Sequence, residues 1–417
     1  MPVHHRSAVR GLVALVVSAV AAVLAPATTA QADQLPLSAT DQAVADKLAV
    51  RSLRSDLGDD LAGLVLDPAT GQALWSQTPD EAQIPASNTK VLTAVDALAA
   101  FGPTYTFTTR VMTGRTARRA VLVGGGDPSL SARQLGALAR AAAAGFLAQG
   151  ITRVRVQVDD SLFPAPTLAY GWKSAYTIRD VSPVRALVVD QHRRWDTSLD
   201  AGAVFARKLE KWGVQVRSVA RKVRPDGSAV LAESQGTDLA SIVRRMMQDS
   251  DNDIAEGLHR LVALQLGYPA TWTGAQLAQK DMLARLGITL TTAVYDGSGL
   301  SRRDRLTPAT LVSALSLALD PARPELLGLQ SGAFAVAGVS GTLAPNFRRY
   351  VTNPTRCAAG LIQAKTGSLS GVISLSGYAR GADGQVKVFS FLLNHVPATL
   401  TTRRGVDRLA TTVTGCW

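Results

Sequence analysis

Cysteine occurs twice in 417 residues, histidine five times, and aromatic side chains make up 5% of the chain. Two cysteines exclude a disulfide-dense scaffold. The histidines, two of them at positions 4 and 5, form no ligand-like spacing, so no metal and no other cofactor is expected. Basic residues interleaved with aromatics, as stacking on bases requires, are missing too, which argues against nucleic acid as a partner. No apolar run reaches the ~20 residues that cross a bilayer. What remains is the composition of a folded protein, 47% hydrophobic and 18% charged, long enough for two or three domains with real cores. Its one oddity is the charge: 44 basic against 32 acidic residues, a formal +12, which points to an anionic partner.

The longest apolar run, 11–25, follows Arg6 and Arg10 and precedes the small residues Ala30-Gln31-Ala32. That order reads as a secretory signal peptide over 1–32, cleaved after Ala32, with a soluble mature protein outside the cytoplasm and no transmembrane anchor. No cysteine follows the run, so no lipid anchor is expected. Export turns the positive balance toward the anionic cell envelope, its wall polymers or lipid head groups; a solvated arginine-rich surface is the alternative. In an oxidising compartment Cys357 and Cys416 read as one disulfide tying the C-terminal tail to the body, the alternative being two buried thiols.

Periodicity predicts a helix over 41–57, strands over 61–67 and 71–77, and a helix over 87–101 with Ser87 as its N-cap. An α/β segment follows: strands 105–112 and 119–123, the cluster Gly124-Gly125-Gly126-Asp127-Pro128, a helix over 131–148 and a strand over 151–158. Helices are expected at 238–249, 253–266, 272–286 and 308–320, then strands at 371–380 and 385–394 and a last helix at 402–413. Strands at both ends with helices between suggest one mixed domain interrupted by an insertion.

Three short strings carry chemistry. In Ser87-Asn88-Thr89-Lys90, positions i and i+3 share a helix face, so the amine can reach the hydroxyl. A serine becomes a nucleophile when a base takes its proton, and a lysine is that base when burial or another cation leaves it neutral. Ser250-Asp251-Asn252, between two helices, offers a second hydroxyl and a side-chain amide, although the same residues are ordinary caps. Lys365-Thr366-Gly367, opening the strand before the terminal hairpin, supplies a cation, a hydroxyl and a glycine that admits a ligand close to the backbone. Only nine of the 44 basic residues are lysines. Two of those nine fall within these strings.

Ser-x-x-Lys, Ser-Asp-Asn and Lys-Thr-Gly in that order are the active-site set of penicillin-binding proteins and serine β-lactamases. With the glycine cluster at 124–128, the region from Val158-Asp159-Asp160 to Trp172, SDNDIAEGL at 250–258, DGSGLSRRDRLTP at 296–308, AGVSGTL at 337–343 and KTGSLSGVISLSGY at 365–378, the chain resembles the D-alanyl-D-alanine carboxypeptidases/endopeptidases of the class C low-molecular-mass penicillin-binding proteins, peptidase family S13. The resemblance implies a five-stranded antiparallel sheet flanked by helices, an all-helical region, and a cleft between them. It makes Ser87 the acylated nucleophile, Lys90 its base, Ser250 the proton relay and Asn252 the holder of the substrate amide. Lys365 and Thr366 would bind the terminal carboxylate, beside Gly367, while Lys365 helps keep Lys90 neutral. The N–H groups of Ser87 and Ser368 would form the oxyanion hole. Peptidoglycan stem peptides are then the substrates and β-lactams covalent inhibitors. The separation of Ser87 from Ser250 implies a catalytic domain of 33–106 and 237–417 interrupted by one inserted α/β domain, 107–236. A serine β-lactamase is a poorer fit because no glutamate occurs from Gly257 to Arg323. A silent wall-binding scaffold of the same fold is the non-enzymatic rival.

Overall fold

The computed structural model describes residues 36–417 apart from 331; the signal peptide expected over 1–32 lies outside the described residues. In chain order the elements are α1 (Ala39–Arg51), β1 (Asp60–Asp67), β2 (Gln72–Gln77), α2 (Thr89–Phe101), β3 (Thr106–Thr113), β4 (Arg119–Val123), α3 (Ala132–Ala148), β5 (Arg153–Asp159), α4 (Thr197–Lys211), β6 (Gln215–Arg221) and β7 (Val230–Asp238). Then come α5 (Leu239–Asp249), α6 (Asn252–Gln265), α7 (Trp272–Arg285), α8 (Pro308–Leu317), α9 (Leu327–Gln330), β8 (Ala335–Val336), β9 (Ile362–Leu369), β10 (Val372–Arg380), β11 (Val386–Asn394) and α10 (Leu400–Val413).

One antiparallel sheet joins the two ends of the chain in the order β2-β1-β11-β10-β9-β8. The alternation of side chains decides which layer each face meets. On β11, Val388 and Leu392 join the core of α2 and α5–α8, whereas Phe389, Phe391 and Leu393 join that of α1 and α10. Covered on both faces, β10 and β11 read as near-continuous apolar runs. The sheet has one strand more than the five expected: Ala335 and Val336 pair with Ala364 and Gln363 as a two-residue edge piece, too short to leave a periodic signal. The helix expected over 41–57 ends at Arg51 and resumes as a single 3-10 turn, Ser55–Leu57.

A second sheet, order β6-β5-β4-β3-β7, is drawn wholly from residues 106–238. Its strands β4, β5 and β6 are parallel, and β3 runs antiparallel to both of its neighbours, β4 and β7. Val154, Val156 and Val158 of β5 bury themselves against Leu135 and Ala139 of α3 and Phe205 of α4, so these helices cover one face. Cys357 and Cys416 are joined, as expected, with Cα atoms 6.2 Å apart. Among the described residues no helix is long and apolar enough to cross a membrane.

Candidate active site

At the start of α2 the chain is held by side chains of the first sheet. Asn394 accepts from the Ile84 N–H at 3.0 Å and donates to the Ile84 carbonyl at 3.2 Å. Ser374 donates to the Pro85 carbonyl at 2.7 Å, and Asn88 donates to Ser376 at 3.0 Å. These bonds hold Ala86 at φ +48°, a conformation that costs a non-glycine residue about 1–3 kcal/mol. Ser87 is not the helix cap that its local sequence suggests. It lies in a 3-10 turn, Ala86–Asn88, with no side-chain cap bond, and the α-helix begins at Thr89.

Lys90, one turn on, is fully buried. Its amine donates to Asn252 Oδ1 at 2.7 Å and to the Ser298 carbonyl at 2.7 Å, and lies 3.1 Å from Ser87 Oγ. A neutral amine has two N–H bonds and one lone pair. The two carbonyl oxygens accept only, so they take the N–H bonds and leave the lone pair for the serine proton. Burial brings the Lys90 amine down to about 8, against the opposing fields of Asp296, Glu256 and Asp251.

Ser250 caps α5 in the left-handed region, φ +58°. Its hydroxyl accepts from Lys365 Nζ at 2.8 Å, and Lys365 donates also to the Thr366 carbonyl at 2.8 Å. Lys365 is fully buried, and its amine is pushed well down by burial and by the charge of Lys90. The Lys365-Thr366-Gly367 string lies inside β9, three residues beyond its start, because Ile362 and Ala364 continue the buried alternation upstream. Lys365 thus sits behind Ser250, not at the cleft wall. Asn252 also donates to the Asp180 carbonyl at 2.8 Å; its amide has a second N–H for a substrate carbonyl.

The loop 296–304 supplies the Ser298 carbonyl and is shaped by buried carboxylates. Asp296 accepts from the N–H groups of Gly299 and Ser301, both at 2.7 Å, and from the Trp172 indole at 2.5 Å. Glu256 accepts from Gly297 N–H at 3.1 Å and Ser298 N–H at 2.8 Å, while burial and Asp296 push its carboxyl up to about 8. Both Glu256 oxygens thus serve the loop. Gly299 adopts φ +80°, and a Cβ there would stand 1.8 Å from the Ala86 carbonyl. Gly299→Ala is therefore expected to separate the loop from the Ser87 turn and to lower the reactivity of the Ser87 hydroxyl by at least about tenfold, as misplacement by ~1 Å does. The rate of covalent labelling of Ser87 beside the wild type checks this.

Ser87 and Ser250 open on a cleft of about 210 Å³ whose other walls include Thr342, Arg349, Thr366, Gly367, Ser368 and Arg403. Gly367 permits the approach of β9 to the Ser87 turn, since a Cβ would meet Ser374 Oγ at 2.0 Å and the Pro85 carbonyl at 2.9 Å. Thr366 donates to Thr342 at 2.8 Å, and Arg403 of α10 donates to Ser368 Oγ at 3.2 Å. Arg349 is bound to Asp407 inside the protein, so Arg403 is the more available cation. The structure thus brings all three strings together. Arg403, Thr342 and the Ser298 carbonyl were not foreseen: a backbone carbonyl has no sequence signal, and one arginine among many on a terminal helix is conspicuous only once α10 is seen against β9. Among the described residues no cluster of three or more His, Cys, Asp or Glu suited to a metal ion occurs.

A family model described as "D-Ala-D-Ala carboxypeptidase 3 (S13) family" matches residues 44–194 and 191–413. The chain is 36% identical over 391 residues to carboxypeptidase Rv3627c of Mycobacterium tuberculosis, covering 88% of this chain and 83% of that protein. It is 35% identical over 402 residues to carboxypeptidase DacB of Mycolicibacterium smegmatis, covering 90% and 85%. In fold it resembles the crystal structure of penicillin binding protein 4 (dacB) from Haemophilus influenzae, with a TM-score of 0.74, 23% identity and coverage of 89% and 98%. That protein is also known complexed with a β-lactam.

Proposed function

The chain belongs to the D-Ala-D-Ala carboxypeptidase 3 (S13) family of serine peptidases, and from that premise we propose that it acts through an acyl-enzyme on Ser87. The observation that carries this reading is the position of the Lys90 amine, 3.1 Å from Ser87 Oγ and held by two carbonyl acceptors, which in the neutral amine take both N–H bonds and leave the lone pair for Ser87.

Lys90 takes the hydroxyl proton as Ser87 Oγ attacks the carbonyl carbon of the D-Ala-D-Ala bond. The N–H groups of Ser87 and Ser368 stabilise the oxyanion. Ser250, hydrogen-bonded to Lys365, hands a proton to the departing D-alanine amine and recovers one from the Lys90 ammonium, the C–N bond breaks, and the ester remains on Ser87 with Lys90 neutral again. Water then attacks the ester, giving its proton to the site's base, and the shortened peptide leaves with Ser87 re-protonated. A β-lactam forms the same ester, but its amine stays tethered to the acyl group and obstructs the water step. Asn252 steadies Lys90 and holds the substrate amide. Thr366 and Ser368 receive the terminal carboxylate, with Arg403 as the cation and Gly367 admitting it to the strand.

Arg403→Ala is expected to raise KM for a stem pentapeptide roughly tenfold, about 1.4 kcal/mol, with a smaller change in kcat; an unchanged KM removes Arg403 from the carboxylate site. Incubation of the protein with purified peptidoglycan, followed by separation of the products, tests the function itself. Free D-alanine or cleaved cross-links support it, and unchanged wall peptides oppose it. The same reading takes 1–32 as an export signal, which delivers the enzyme to the cell envelope, and 107–236 as a domain inserted into the catalytic one.

A further inference from the structure

The second sheet turns one face away from α3 and α4, and that face is basic. Register sets Arg119 of β4 directly opposite Arg155 of β5, and Arg153 opposite Gln215 of β6. The intervening Ala120, Val154 and Val156 point into the helical core, so alternation sends Arg119, Arg153 and Arg155 to the uncovered side. With Arg118 and Arg217 they line a concavity of about 320 Å³. No carboxylate lines it. Other arginines of this region are neutralised, Arg110 by Glu233 and Arg221 by Asp160 and Asp196. Among the described residues these five have no acidic partner; Arg153 donates instead to Gln215 Oε1 at 2.9 Å.

Like charges directly opposite on neighbouring strands destabilise a sheet, and a bound anion would remove that repulsion. Guanidinium forks match two-oxygen anions such as phosphate bidentately. Four of them over three strands, ~4.8 Å apart across strands and ~6.7 Å along one, with Arg118 in the turn before β4, exceed the needs of one small anion and suit consecutive groups of a chain. The concavity's one apolar lining residue, Val154, is buried, so no exposed apolar side chain is there to enter a bilayer. We propose that this concavity binds a linear, phosphate-bearing polyanion, holding the enzyme beside insoluble substrate and raising its local concentration there. The site is separate from Ser87 and stands whether or not the acyl-enzyme reading does.

The test uses the full chain, fluorescent linear polyphosphate and anisotropy at low and high salt. Arg153→Gln/Arg155→Gln/Arg217→Gln is expected to bind at least about tenfold more weakly than wild type, and wild-type binding to fall steeply with salt. Arg133→Gln/Arg207→Gln/Arg244→Gln removes the same charge from exposed positions elsewhere and is expected to stay within about twofold of wild type. Release of D-alanine from a soluble pentapeptide should be equal in all three proteins, which shows that they are folded. Equal losses in the two triple variants would reduce the effect to net charge and overturn the proposal. So would polyglutamate binding as tightly as polyphosphate, or binding to phosphatidylglycerol vesicles but not to polyphosphate.

Discussion

Lys90→Arg is expected to slow acylation of Ser87 by about 10²–10⁴-fold, the usual contribution of a positioned general base. Arginine keeps its proton at every working pH and offers five N–H bonds but no lone pair. It can still donate to the Asn252 and Ser298 oxygens that hold Lys90, so a positive charge persists while the base is lost. The wild-type pH profile carries the same information with a definite sign. Burial brings the Lys90 amine down to about 8, so below that pH it is protonated and cannot accept from Ser87. The acylation rate constant should fall about tenfold per pH unit on the acid side and level off above about pH 8. Stopped-flow acylation by a fluorescent penicillin reads both, and the pH-dependent limb should vanish in Lys90→Arg. Full acylation by the arginine variant would remove Lys90 as the base.

Ser87→Ala should be more severe, with D-alanine release from a stem pentapeptide reduced by at least about 10⁴-fold and penicillin labelling abolished. The deleted oxygen is the one that forms the ester, and in the proposed reaction Ser250, beside Lys365, gives a proton to the leaving amine instead of attacking the carbonyl. Folding should survive: Ser87 makes no helix cap, and the turn is held by Asn394, Ser374 and Asn88. A thermal melt alongside the wild type separates loss of the nucleophile from loss of structure.

Most helices and the terminal hairpin were legible because their apolar periods run uninterrupted; β10 and β11 lie within a residue of their expected bounds. Local chemistry misled at Ser87. A serine before an apolar helix reads as a cap, but here bonds from β10 and β11, nearly 300 positions away, force a 3-10 turn instead. Likewise Lys365 was expected at a strand start facing a carboxylate, whereas the strand begins at Ile362 and the amine is buried behind Ser250. The strings specified which side chains meet. Their division of labour depended on burial and on partners such as Ser298 and Arg403, set by packing between distant segments. The charge of +12 was legible as a total, but the sheet register was needed to gather arginines from three strands on one face.

The acyl-enzyme on Ser87 is tested most directly by trapping it. Incubation with benzylpenicillin, intact-protein mass spectrometry and peptide mapping should give one adduct per chain, on the peptide that contains Ser87, and none in Ser87→Ala. An adduct on a peptide bearing Ser250 or Ser368, or no adduct at all, would contradict the account.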